Sequence, residues 1–423
     1  MADYRPFCAW RPTKEHAAEV AALPYDVMSS LEAREMVKGH PLSFLHVDRA
    51  EVDFPVETDI YSDEVYEKAA ANLRGLKESG VLVRDAEASY YLYREVMGEH
   101  SQVGIVGCAS VDEYLSGKIK KHELTVSAKE KDRIRHVDAC DANTGVIFLA
   151  FRDDEEIKAR MDAILSRSEP DTDFTSEDGV RHTVYRVSDP KDVAFFRGAF
   201  KKIPALYIAD GHHRTASAVR VGEMRRRGKA DLTGEEEFSY FLSAAFPASS
   251  LKILDYNRVV SDLHGMTDEA FLEKLGESFA VERLQEASGD AEEDLSFAKP
   301  KEPHTMSLYL GGAWYRLTAH GDAYDPDDPV SRLDVQILQE KVLTALLDIK
   351  DPRTDSRIAF VGGIRGLSEL KRRVDGGAKA AFAMYPTSME DLMAIADAGR
   401  IMPPKSTWFE PKLRSGLFIH DLT

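Results

Sequence analysis

The spacing of apolar positions changes several times along the chain, and each change predicts an element. Leu23-Pro24-Tyr25-Asp26-Val27 reads as a strand end or loop. Ser29 and Ser30 follow and predict a capped helix through Met36, because serine hydroxyls accept from the free amides of a helix start. The short apolar run Pro41 to Val47 predicts a buried strand. From about Asp63 to Ser79 apolar residues recur at helical spacing and stop at Gly80, which predicts a long amphipathic helix. From Ala88 the period becomes two. Tyr90 to Val96 and Gln102 to Ser110 read as a hairpin turning at Met97 to His100. Asp112 to Lys120 is polar and predicts an irregular segment, and Lys121 to His136 is densely charged.

Further strands are predicted at Gly145 to Phe151, Val180 to Val187, Ala205 to Ala209, Phe238 to Pro247 and Leu251 to Val260. Helices are predicted at Asp153 to Ser166, at Asp192 to Phe200, and from Thr215 to about Arg227. Ser288 to Pro303 turns from acidic to Lys/Pro-rich and reads as a linker or exposed loop. Beyond it come a hairpin turning at Gly311-Gly312 (Thr305 to Leu310 with Ala313 to Leu317) and a long helix from Val330 to Leu347. Ile358 to Gly362 and Ala380 to Tyr385 are strands, each followed by a helix, so the tail reads as α/β. The whole chain is a mixed α+β and α/β protein in three regions, 1–88, 89–285 and 286–423.

Composition narrows the function classes. With 43% apolar residues over 423 positions the chain has enough material for a core. A formal net charge of −18 repels nucleic acid and anionic membrane. The start shows no signal-peptide pattern, and no apolar run approaches the roughly 20 residues that span a bilayer. Three scattered cysteines with no Cys-x-x-Cys pair argue against a disulfide framework or zinc knuckle. A reducing cytoplasm is the expected location.

Candidate chemistry concentrates at Asp210-Gly211-His212-His213-Arg214, which directly follows the apolar strand. A helix start offers outward amides and partial positive charge, so it suits an anion. Gly211 permits a positive φ and close approach, Arg214 can grip a phosphate by two parallel hydrogen bonds, and Thr215 opens the helix. Asp210 can hold Mg²⁺, orient a histidine or accept a proton. The plainer alternative is a solvated helix cap. His212 and His213 are adjacent and diverge on a helix, which disfavours a metal site made by both.

Four other segments carry suitable groups. His122, Glu123 and Thr125 lie in a non-periodic stretch, whereas Lys129 to Arg133 also fits a charged surface helix. The segment offers both cations, such as Arg133, and carboxylates, such as Glu123. Pro403 and Pro404 stiffen a loop presenting Lys405, Ser406 and Thr407, although the glycines of a Walker loop are missing. Asp26 fits either a structural turn or a contact to a substrate amino group. Arg258 fits either an ion pair or a phosphate contact.

The strand-Asp-Gly-His-His-Arg-helix sequence resembles the phosphate-binding motif of the ParB/sulfiredoxin superfamily, in the form found in free L-serine kinases. Over nearly its whole length the chain also resembles a widespread uncharacterised family, DUF family ten-fifteen. The shared blocks are Leu23 to Val27, Lys121 to Thr125, Lys129 to Arg133, Asp210 to Arg214, Asn257 to Val260 and Met402 to Thr407. The resemblance implies a ParB/sulfiredoxin-like core with additional N- and C-terminal α/β regions. It also implies a kinase that converts L-serine, or a similar hydroxylated metabolite, to O-phosphoserine with Mg²⁺ and ATP, ADP or pyrophosphate. By the resemblance Asp210, Gly211, His212, His213, Arg214 and Thr215 handle phosphate, with Arg133, Lys405, Ser406 and Thr407 as further contacts. Asp26, His122, Thr125 and Arg258 would meet the acceptor. The upstream acid of the kinases has no unambiguous counterpart, and Glu123 is the choice made for it. The alternative is a ParB-like regulator that binds and hydrolyses a nucleotide.

Overall fold

Alternating apolar residues from Tyr90 onward build the centre of a mixed sheet, and the rest of the first unit is organised around it. In the computed structural model, residues 2–125, 127–229, 231–284 and 294–423 are described. The chain divides into two compact units. The first comprises Met1–Lys121, Thr125–Leu251 and Pro411–Thr423; the second comprises His122–Leu124 and Lys252–Glu410.

The sheet of the first unit runs, edge to edge, through Ile119–Lys120, Leu206–Asp210, Ile147–Phe151, Tyr240–Pro247, His100–Ser110, Tyr90–Met97, Arg181–Val187 and Thr172–Thr175. Tyr4–Arg5 adds to His100–Ser110. The expected hairpin forms, with Tyr91 opposite Val106. Most pairs are antiparallel, but Leu206–Asp210 lies parallel to Ile119–Lys120 and Tyr240–Pro247 parallel to Ile147–Phe151. One apolar side of the sheet, with Ile147, Leu149, Phe151 and Phe241, packs on Ile157 and Met161 of helix Glu155–Arg167 and on Phe196 and Phe200 of helix Pro190–Phe200. A second cluster joins the N-terminal helices to Ile419, so the C-terminal segment closes this unit.

Three local expectations are corrected. Pro41 to Val47 is not a strand: turns lead into helix Leu45–Asp48, whose Leu45 and Val47 are buried. A short apolar run serves either element, and here the N-terminal helices cover it. Asp112 to Lys120 is ordered, with helix Val111–Leu115 and strand Ile119–Lys120. The helix expected from Thr215 begins at His212. The serine cap expected near Ser29 forms, and Glu32 completes a capping box, with Ser29 and Glu32 bonding each other's backbone amides.

The second unit is a six-stranded sheet with every pair antiparallel, in the order Phe279–Arg283, Ala313–Ala319, Thr305–Leu310, Ala380–Ala383, Tyr256–Val260, Ile358–Gly362. The tail is therefore not a parallel α/β unit, because Tyr256–Val260 inserts between its two later strands. Leu251 to Val260 divides at Asp255, and Lys252–Leu254 pairs instead with Trp408–Glu410. The long helix starts at Asp334 and widens into a π-helical segment over Gln339–Thr344. Of the segment expected to be a linker, 288–293 lies outside the described residues and Leu295–Ala298 forms a helical turn. No helix among the described residues is long and apolar enough to cross a membrane.

Candidate functional site

Strand Leu206–Asp210 slips register against Ile147–Phe151 between Ile208 and Asp210, an irregularity that re-aims the strand end. Gly211 follows at φ 91°, ψ 32°, in the left-handed region, and caps helix His212–Arg226. No side chain caps this helix start. The helix is tied internally instead. Thr215 donates both its amide (2.8 Å) and its Oγ1 (3.0 Å) to the Gly211 carbonyl. Ser217 Oγ donates to the His213 carbonyl at 2.7 Å. His212, His213 and Arg214 thus form the first turn, whose amides have no acceptor inside the helix. A Cβ at Gly211 would lie 3.1 to 3.3 Å from the Arg214 guanidinium, so that group lies across the glycine.

The two oxygens of Asp210 are both engaged: Oδ1 accepts from the Gly211 amide at 2.8 Å and Oδ2 from Lys412 Nζ at 2.9 Å. Burial alone would raise its pKa, but Lys412 and Arg214 outweigh burial and hold the carboxyl well below the usual carboxylate range. The ionised form is therefore the folded form. Its contribution is fully present above the unfolded aspartate value of about 3.9 and is lost as pH falls through the lower folded value. Lys412→Met should cost about 2 kcal/mol at neutral pH. Thermal melts from pH 8 downward should show the gap between wild type and variant narrowing below about pH 4. A gap independent of pH would exclude this ion pair as the cause.

Arg214 continues inward. Its Nη1 donates to the Val146 carbonyl, its Cδ would lie 3.3 Å from a Cβ at Gly145, and its Nε is buried without a hydrogen-bond partner among the described residues. It faces a cavity of about 30 Å³ that is also lined by Tyr25, Asp48, Arg133, His136 and Thr144. That volume holds about one water. Tyr25 sits on the helical turn Tyr25–Val27, with its ring 4.2 Å from the Arg133 guanidinium and its buried hydroxyl without a hydrogen-bond partner among the described residues. Arg133 is buried on helix Ser127–Cys140 and is held by Asp132 at 2.8 Å, which in turn accepts from Tyr66 at 2.8 Å. Asp48 accepts from Thr144 Oγ1 at 2.8 Å, and His136 Nε2 meets the Val47 carbonyl at 3.0 Å.

The electrostatics follow from this packing. Burial opposes the charge on Arg214, but Asp26, Asp210 and Tyr25 more than compensate and raise its pKa. Burial likewise opposes the charge on Arg133, and Asp132 and Tyr25 outweigh it. Burial and then Arg133 lower His136, which stays neutral at pH 7, while burial raises the Tyr25 phenol. The result is a cationic wall beside a helix N-terminus, with the exposed Asp26 as the carboxylate that acts most strongly on Arg214.

Three segments distant in sequence therefore meet in the first unit: Leu23 to Val27, Lys129 to Arg133 and Asp210 to Arg214. Thr125 also belongs to this unit and donates to Glu130 at 2.8 Å. Other candidates belong to the second unit. There the His122 carbonyl accepts from the Met402 amide at 2.8 Å, and Glu123 lines a cavity of about 300 Å³ with Gln336, Gln339, Lys350 and Arg353. Lys405 has φ 58° and reaches over the Tyr256 ring at 5.6 Å. Ser406 is buried and donates to the Pro403 carbonyl at 2.6 Å, and Thr407 beside it is half-buried. Arg258 is buried against the Tyr256 and Pro404 carbonyls, and burial pulls its pKa down to about 10. Sequence reasoning missed Lys412, Asp48 and Thr144. The polar Asn143-Thr144-Gly145 before an apolar strand was a usable signal, whereas Lys412 and Asp48 gave none.

Comparison with known proteins adds the family. No curated protein matches the chain. Among solved structures it is similar to free serine kinase in complex with AMP, at 16% identity and TM-score 0.36, over 72% of this chain and 86% of that one. A variant of free serine kinase in complex with ADP gives 15% identity and TM-score 0.37, over 74% and 88%. SbnI with C-terminal truncation from Staphylococcus aureus gives 12% identity and TM-score 0.36, over 73% and 84%. The family model described as "Protein of unknown function (DUF1015)" matches residues 4–336, well over half the chain. The chain belongs to the DUF1015 family.

Proposed function

We propose that the protein is a phosphotransferase that moves a phosphoryl group from ATP, ADP or pyrophosphate to L-serine or a similar small hydroxylated metabolite. The observation that carries this reading is the Arg214 guanidinium lying across Gly211 at a helix N-terminus, with a buried arginine, Arg133, on the same small cavity. Phosphoryl transfer needs positioned positive charge more than covalent chemistry. The strand-glycine-helix arrangement of the loop also supports a ParB/sulfiredoxin-like core.

In this reading the donor phosphates rest on the open face of the loop, against the first-turn amides and the histidines. A phosphate is larger than the one-water cavity, so the cavity serves to set Arg214 rather than to receive the donor. His212 and His213 add donors to the migrating group. Each Asp210 oxygen is engaged, by the Gly211 amide and by Lys412, so a Mg²⁺ would be held chiefly by the donor phosphates. The role of Asp210 is to fix the glycine turn and the adjoining cations.

The acceptor hydroxyl needs a carboxylate. Asp26 is exposed in the same unit as the loop and is the charge most strongly coupled to Arg214, which supports Asp26 as the group that takes the proton. Glu123, the choice suggested by family resemblance, is the competing candidate. Asp26→Asn should lower kcat by about 10²-fold or more with little change in donor affinity, and Glu123→Gln should leave kcat within about threefold. The reverse pattern would transfer the role to Glu123.

The regulator alternative needs a basic surface for nucleic acid. Arg225 is paired with Asp138 and Asp141, Arg226 with Asp112, and the Lys371 to Arg373 cluster with Asp375 and Glu369. These pairings favour the enzyme.

A further inference from the structure

The second unit contains a cavity of about 210 Å³ that the proposed reaction does not use. At roughly 30 Å³ per water this is space for about seven waters, suited to a small metabolite. Asp334 lines it and is only 9% exposed. Its Oδ1 has no hydrogen-bond partner among the described residues. A carboxylate oxygen kept from both water and donors is costly, which marks a place where a ligand can contribute binding energy.

The surroundings define what would bind. Arg332 also lines the cavity, but its guanidinium is committed to Asp391 at 3.0 Å. His304, held at φ 63°, stacks on Tyr324 at 4.2 Å and shares a 2.9 Å hydrogen bond with its hydroxyl. Thr387 Oγ1 donates to the Ser406 carbonyl at 3.1 Å. With the Arg332–Asp391 pair neutral overall, the uncompensated charge is that of Asp334, and it calls for a cation. Pro303, Leu333 and Pro386 supply apolar wall, which suits an organic cation. A hard metal ion would need about six oxygen ligands, and the commitments above leave too few.

We propose that this cavity binds a small primary ammonium compound, with the ammonium paired to the Asp334 carboxylate and the carbon skeleton against the proline and leucine walls. Burial pushes the Asp334 carboxyl up, the backbone amides of His304 and Asp334 draw it down, and Asp391 pushes it up again, to about 7. Arg332, His304, Tyr385 and Asp391 are the charged or titratable groups lining the cavity with it. An arriving ammonium favours the ionised form, so binding at pH 7 releases a proton from part of the population.

The test is calorimetric titration of the full chain with n-propylammonium, n-propanol and propionate. Saturable binding of propylammonium is expected, tighter than either isostere by about tenfold or more. Repeating the titration in two buffers of different ionisation enthalpy should reveal proton release. Asp334→Asn should weaken propylammonium by about tenfold or more, while Asp375→Asn, at an exposed helix end, should not. The release measurement uses wild-type protein and so does not depend on how the variant folds. No saturable binding would mean a water-filled cavity and overturn the proposal. Propionate binding as tightly as propylammonium, absence of proton release, or a folded Asp334→Asn variant that binds unchanged would overturn it too. None of these results bears on phosphoryl transfer in the first unit.

Discussion

Arg214→Ala should reduce phosphoryl transfer by about 10³-fold or more while the protein remains folded. Three effects coincide at this residue. The guanidinium supplies fixed positive charge where the migrating group would be most negative. It covers Gly211 and so fixes the amide face of the helix start. It also offsets the negative charges of Asp26 and Asp210. Loss of the hydrogen bond to the Val146 carbonyl should cost only about 1 to 3 kcal/mol of stability. Arg214→Lys keeps charge but loses the planar fork, and should recover only a small part of the rate. Initial rates beside thermal melts separate the two contributions. A near-wild-type rate in a folded Arg214→Ala protein would remove the loop from the mechanism.

The second large effect is expected at Gly211. An alanine there is strained at φ 91°, and its Cβ would press on the Arg214 guanidinium at 3.1 to 3.3 Å. Strain alone should cost about 1 to 2 kcal/mol. Displacement of the guanidinium should weaken donor binding by about tenfold or more and lower kcat as well. Gly228→Ala is the control, since Gly228 also has positive φ (76°) but open space around the added Cβ. It should match the stability loss and leave donor affinity unchanged. Equal losses of affinity in both variants would reduce the Gly211 effect to general destabilisation.

Much of the local structure was legible because its causes are local. The Tyr90 hairpin follows from period-two alternation, the helix after Ser29 from its capping residues, and the glycine turn at Asp210-Gly211 from an apolar strand meeting a residue free to take positive φ. The errors have equally physical origins. The helix begins at His212 rather than Thr215 because a left-handed glycine, not a side chain, starts it, and sequence rules look for side-chain caps. Phe44-Leu45-His46-Val47 is apolar enough for a strand, and only tertiary cover makes it helical. The antiparallel order of the second unit depends on Tyr256–Val260 inserting between later strands, which no window of sequence contains.

The candidate site divides in the same way. Arg133 reads as surface decoration in a charged helix, yet it is buried because Tyr25 and Asp48 arrive from elsewhere to join its neighbour Asp132 in satisfying it. Lys412 lies 202 positions from Asp210 and becomes its partner only because the C-terminal segment returns to the first unit. Such pairings depend on long-range topology, so composition and spacing could nominate the loop but not the groups that set its charge.

Phosphorus NMR of the full chain with L-serine, Mg²⁺ and, in turn, ATP, ADP and pyrophosphate tests the central claim most directly. The account predicts an O-phosphoserine resonance growing with one of the donors, matched by loss of that donor and absent with Arg214→Ala. Unchanged spectra with all three donors, from folded protein that also fails to bind any of them, would contradict it.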